Sequence, residues 1–195
     1  HHYDRIASLL RSNAEENLIS QVANQIRSEL DPHPAGQLTK NRPSLDGDVL
    51  PGVQHKYRET LLFFPTQGQT CHAYCTFCFR WPQFTGIADY KFAMSEIDPV
   101  IKYLRKHPDI TDILFTGGDP LFMKTKVLEG YIDALINADL PNLRTIRIGS
   151  KSLSYWPYRF LTDNDADTLL ALFEKIVSNG IHLAIMAHFN HPREL

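Results

Sequence analysis

Apolar residues recur every three to four positions between residues 4 and 30, with Leu18, Val22, Ile26 and Leu30 in one row and Ile19 beside them. That spacing predicts helix in one or two pieces; Ser12 with Glu15 has the form of a capping box, and Asp31-Pro32 is expected to stop the segment. From there to about Gly52 the chain shifts to Pro, Gly, Asp and Asn, in Asp31-Pro32-His33-Pro34-Ala35-Gly36 and again in Leu50-Pro51-Gly52. This stretch reads as an extended connection, too polar to pack as an element of its own. Beyond it a single pattern repeats. β-rich runs at 60–64, 112–116, 144–148 and 181–186 predict strands. Amphipathic helices precede the last three of them. The first is capped by Asp98 with Pro99 in its first turn and ends before Pro108; the second carries Leu128, Ile132, Leu135 and Ile136 on one side. The third bears Leu169, Leu172, Phe173, Ile176 and Val177 and is closed by Asn179-Gly180. Strands alternating with helices predict parallel β-α units and so an α/β fold, and four such units amount to half of a barrel-like sheet. The expected organisation is a helical region with its linker over 1–52 and a core over 53–195.

Composition narrows the class without changing that picture. With 195 residues, 43% hydrophobic and 22% charged, the chain is expected to fold as one globular unit with a sizeable core, not as a disordered or collagen-like chain. A formal net charge of -2 offers no basic face for a nucleic acid. No apolar run approaches the length of a membrane span and no signal pattern opens the chain, so the expected setting is cytoplasmic. His1-His2 resembles the remnant of an affinity tag and carries no weight.

The candidate chemistry begins at Cys71-His72-Ala73-Tyr74-Cys75-Thr76-Phe77-Cys78, which holds all three cysteines of the chain. An odd number of thiols within eight residues cannot all pair as disulfides. A structural zinc wants four closed ligands and an electron-transfer 4Fe-4S cluster usually wants four cysteines, so either would need a ligand from elsewhere, such as one of nine histidines. Three thiolates on a short loop can instead hold three irons of one cubane and leave the fourth open to a ligand. A reducing compartment fits thiols that must stay reduced. The other polar loops fall at the same ends of the predicted strands, where α/β folds collect their active sites. Gly117-Gly118-Asp119 follows the second strand, Gly149-Ser150-Lys151 the third, and His188-Phe189-Asn190-His191 the fourth. A Gly-Gly pair serves a tight turn as readily as the approach of a ligand to backbone, and Ser150 serves a turn as readily as a ligand. His188-x-x-His191 has zinc spacing but lacks a further ligand pair.

The C-x3-C-x2-C motif, with an aromatic just before its last cysteine, resembles the signature of the radical S-adenosylmethionine (SAM) superfamily. Further stretches narrow the likeness: Pro51-Gly52-Val53-Gln54-His55-Lys56-Tyr57, Cys78-Phe79-Arg80, Gly117-Gly118-Asp119-Pro120-Leu121, Arg147-Ile148-Gly149-Ser150 and His188-Phe189-Asn190-His191-Pro192. In content and order they are similar to the lysine 2,3-aminomutase-like family. The resemblance implies a partial, TIM-like (β/α)6 radical SAM barrel, of which this chain covers about the first four β/α units after its N-terminal helices. It implies a 4Fe-4S cluster held by Cys71, Cys75 and Cys78, and SAM near Phe77, Gly117, Gly118, Asp119, Ser150, His188 and Asn190. Arg80 matches the arginine that grips an amino-acid carboxylate, and His55-Lys56-Tyr57 a segment near the phosphate of pyridoxal phosphate (PLP). The implied function is a radical amino-acid isomerase acting on lysine or a similar amino acid. An electron donor such as flavodoxin or ferredoxin would serve it, and homo-oligomerisation stays open. No catalytic residue is assigned within the chain, because the family's PLP lysine and ammonium-binding carboxylates lie beyond the fourth strand. Lys151 departs from the arginine that usually follows this glycine-serine pair. The alternatives are a PLP-independent radical SAM enzyme on another substrate and a non-catalytic iron-sulfur or zinc module.

Overall fold

The structure, a computed structural model, describes residues 1–30, 36, 39–85 and 87–195. Two helices open the chain, α1 (His2–Arg11) and α2 (Glu16–Glu29), packed on each other. Ile26 of the predicted stripe is buried, whereas Leu18 and Leu30 stay exposed. The capping box does not form. Ser12 closes α1, its hydroxyl donating to Leu9 O at 3.0 Å, and Asn13 turns the chain with φ +52, so α2 starts only after Glu15. The stop expected at Asp31-Pro32 lies outside the described residues.

The predicted connection is partly structured. β1 (Ser44–Leu45) and β2 (Asp48–Val49) pair antiparallel across Asp46 and Gly47, whose φ values of +54 and +99 suit an Asp-Gly hairpin turn. β3 (Val53–Tyr57) then runs antiparallel to β4 (Thr60–Phe63), an edge strand that periodicity alone does not reveal because only Val53 is fully buried. The remaining elements follow the predicted alternation: α3 (Asp98–Lys106), β5 (Asp112–Phe115), α4 (Thr125–Asn137), β6 (Thr145–Ser150), α5 (Ser152–Tyr155), α6 (Tyr158–Leu161), α7 (Ala166–Ser178) and β7 (His182–Ala187). Asp98 stands inside the first turn of α3 rather than capping it.

One sheet has the order β3-β4-β5-β6-β7, with β4 to β7 all parallel. Alternation along the strands decides which face is core. Leu61, Phe63, Ile113, Phe115, Ile146 and Ile148 are fully buried and cluster with Val100, Leu104, Leu128, Ile132, Leu169, Leu172 and Ile176 from the crossover helices. The other face is half-buried and carries Arg147, which donates through Nε to Asp112 Oδ1 at 2.9 Å and through Nη2 to Asp112 Oδ2. Parallel pairing brings the loops after β4, β5, β6 and β7 out at one end. Among the described residues no helix is long and apolar enough to cross a membrane.

Arg159 of α6 ties that end together from below. It is only 2% exposed, and it donates to Leu121 O at 3.0 Å, Met123 O at 3.2 Å, the Thr125 hydroxyl at 3.0 Å and Asp165 Oδ1 at 2.7 Å. Burial alone would push the Asp165 carboxyl up, but the Thr125 N–H and hydroxyl and the Arg159 charge hold it below its ordinary value. Its contribution is therefore present above the ordinary carboxylate range and is lost as pH falls through the depressed folded value. Arg159→Lys keeps the charge but loses the planar fork. It is expected to cost about 2 kcal/mol, or roughly 6 °C in Tm. Calorimetry at neutral pH reads it, and an unchanged Tm would deny the fork its role.

Candidate functional site

Behind β4 the chain makes a single 3-10 turn, Thr66–Gly68, and enters the cysteine loop. Two glycines of the loop after β5 let the cysteine loop lie close. A Cβ on Gly118 would stand 2.4 Å from Thr70 O, and one on Gly117, at φ +128, 2.1 Å from the Gln69 amide nitrogen. The glycines thus serve internal packing: the space left by their missing side chains is filled by residues 68–70. Asp119 N–H reinforces the junction, donating to Thr70 O at 2.8 Å.

A cavity of about 410 Å³ opens at this end of the sheet. Cys71, Cys75, Cys78, Phe77 and Arg80 line it from the first loop, Gly117, Gly118 and Asp119 from the second, Ser150 from the third and His188 from the fourth. Asn190 stands behind the rim, its amide nitrogen 2.9 Å from His188 Nε2, and the His188 ring meets Phe77 edge-on at 5.9 Å. His55, Lys56 and Tyr57 are not brought there. β3 runs antiparallel to β4, so Val53 and Gln54 lie at the cavity end and Tyr57 at the opposite one. His55 instead packs on α3, with Nδ1 2.9 Å from the Tyr103 hydroxyl.

Asp119 is 1% exposed and its oxygens are already engaged. Oδ1 accepts from Leu121 N–H at 3.0 Å and the Ser150 hydroxyl at 2.7 Å, and Oδ2 from Lys151 N–H at 2.8 Å. Asp119 and Ser150 therefore brace the β5 and β6 loops against each other.

The three cysteines are free and partly buried. Burial pushes the Cys78 thiol up, and the neighbouring Cys71 and Cys75 add to that, against the Arg80 N–H and charge. Among the described residues no three His, Cys, Asp or Glu side chains are grouped to hold a single metal ion. Arg80 stacks over Phe64, its guanidinium carbon 4.2 Å from the ring centroid, and burial lowers its pKa to about 10. Buried polar atoms without a partner gather here: Gln69 Oε1, both ring nitrogens of His72, Arg80 Nη1 and Gln83 Oε1. Of these residues only Arg80 lines the cavity.

No family model matches the chain. Individual proteins do. An Aquifex aeolicus protein that carries the name L-lysine 2,3-aminomutase provisionally is 43% identical over 145 residues, which are 74% of this chain and 36% of that protein. The L-lysine 2,3-aminomutase of Fusobacterium nucleatum is 34% identical over 75% of this chain and 31% of its own length, and that of Clostridium subterminale 32% identical over 75% and 32%. The chain belongs to the lysine 2,3-aminomutase-like family. The matched stretch spans about a third of the length of these relatives.

Within this aminomutase-like chain three polar neighbours of the site take roles that local spacing does not show. Gln54 accepts a hydrogen bond from Arg80, and β3, which carries it, has only one fully buried residue to mark it as a strand. His72 sits among Phe122, Tyr155 and Trp156, with Nε2 3.9 Å from Asp119 Oδ2; its place between two cysteines was the available signal. Lys151, 5% exposed, donates to Glu194 Oε2 at 2.5 Å and to His188 O at 3.3 Å. That hydrogen bond, with one from Asn190 N–H, holds the Glu194 carboxyl below its ordinary value. Lys151 thus latches the loop bearing His188 and Asn190 to β6.

Proposed function

We propose that this chain is the first part of a partial radical SAM barrel, and that the protein is an amino-acid 2,3-aminomutase acting on lysine or a similar amino acid. One observation carries the reading: three free cysteines of one loop line the same cavity as a partly buried arginine that has no acid partner among the described residues. Cys71, Cys75 and Cys78 suit a 4Fe-4S cluster with one open iron, because three thiolates of one short loop can serve three irons of one cubane. When bound, the cluster supplies the electron that splits SAM into methionine and a 5'-deoxyadenosyl radical. Phe77 and His188 offer apolar and aromatic surface beside the cysteines for an adenosyl group, and the aromatic lining from Tyr74, Phe79, Trp81 and Phe84 limits water in the cavity. Arg80 offers its fork to the carboxylate of the amino acid.

PLP fits less well. His55, Lys56 and Tyr57, which the resemblance sets near its phosphate, lie off the cavity. That placement favours, as a second reading, a relative that generates the same radical without PLP.

The test is anaerobic reconstitution of the full-length protein with iron and sulfide. Reduction with dithionite in the presence of SAM is expected to release 5'-deoxyadenosine, more so with L-lysine, and Arg80→Ala is expected to keep the cluster while losing the lysine stimulation. The charge-assisted contact corresponds to about 2 kcal/mol. Zinc bound without SAM cleavage would discard the radical reading, and an unchanged lysine dependence in Arg80→Ala would discard the carboxylate grip.

A further inference from the structure

Gln54 lies at the cavity end of β3, across from Leu62, and its Oε1 accepts a hydrogen bond from Arg80 Nη2 at 3.1 Å. Rings enclose the rest of the guanidinium, whose carbon is 4.2 Å from the Phe64 centroid and 5.3 Å from that of Phe79. No carboxylate acts on Arg80 among the described residues, and Nη1 is buried without an acceptor. Ring contacts restrain the tilt of a guanidinium but leave it free to turn in its own plane. An in-plane hydrogen bond removes that freedom.

We propose that Gln54 is a positioning residue for Arg80: its neutral amide oxygen fixes the plane and rotation of the fork while leaving the positive charge uncompensated for the carboxylate of an amino acid. The inference rests on the proposed function's use of Arg80. Neutrality is the point. A carboxylate at position 54 would take the fork in a charge-assisted pair, roughly twice as strong as a neutral hydrogen bond, and an incoming ligand would meet a spent cation. An apolar residue of the same length would leave the charge but not the orientation.

The test reads Arg80 itself in the full-length protein, by phenylglyoxal labelling followed by peptide mass spectrometry, with L-lysine, L-alanine or acetate as the carboxylate and 1,5-diaminopentane as a control without one. In the wild type a carboxylate is expected to slow labelling and the diamine to have no effect. Gln54→Glu is expected to be protected without any addition and to gain nothing from added carboxylate. Gln54→Met is expected to need about tenfold more carboxylate for equal protection, a loss of about 1.4 kcal/mol. Matching melting curves for Gln54→Met and the wild type keep the comparison valid even where Gln54→Glu folds poorly. Labelling of Gln54→Met at wild-type rate and sensitivity, or a wild type that no carboxylate protects, would overturn the inference. A wild type protected by carboxylate that makes no 5'-deoxyadenosine would instead strike the radical reading and leave Gln54 in its role.

Discussion

Replacing Cys75 with alanine is expected to strip the protein of bound iron and reduce 5'-deoxyadenosine formation to background, with the fold intact. The thiol of Cys75 is partly exposed and free, and the loop is held by main chain: Cys78 N–H donates to Cys75 O at 3.0 Å, a bond that alanine keeps. Surface substitutions of this kind change stability by about 0.5 kcal/mol or less, so calorimetry should register little. Iron analysis should register everything. A site built from three thiolates has none to spare, and two leave the cubane with too few protein ligands to persist. Cys71→Ala and Cys78→Ala should behave alike, because all three cysteines line one cavity. A Cys75→Ala protein that still holds about four irons per chain and still cleaves SAM would remove the cluster from these residues.

How far the fold was legible follows from burial. The runs at 60–64, 112–116, 144–148 and 181–186 stood out because their apolar positions alternate against a continuous helical layer, and the structure pairs them in parallel in chain order. β3 was not legible: an edge strand with one fully buried residue leaves almost no hydrophobic signature. The short helices α5 and α6 were hidden by exposed Leu153, Tyr155, Tyr158 and Leu161, and by the fact that Arg159, not a hydrophobe, anchors them. In the site, the convergence of four loops follows from strand polarity alone. The partners within it do not. Which acceptor engages Arg80, or that Ser150 and Lys151 donate to Asp119, depends on contacts between residues 26 to 32 positions apart, beyond the reach of local spacing.

Asp119→Ala is where the ligand-binding and the structural accounts of that residue part. A carboxylate reserved for a ligand could be deleted from the ligand-free protein at little cost in stability. Asp119 instead satisfies three buried donors, Leu121 N–H, the Ser150 hydroxyl and Lys151 N–H. Leaving these without an acceptor is expected to cost about 4 kcal/mol in the ligand-free protein, or about 12 °C in Tm for a chain of this size. Asp119→Asn retains one oxygen but turns its amide toward a donor, so it should recover only part of the loss. Because Asp119 N–H also pins Thr70 O, and Gly118 packs on the same carbonyl, slackening this turn should loosen the approach to Cys71. Cluster loading is therefore expected to fall in Asp119→Ala with every cysteine in place, and to recover on cooling well below the lowered Tm. A variant that melts with the wild type and differs only in its affinity for SAM would return Asp119 to the ligand and make its three internal bonds incidental.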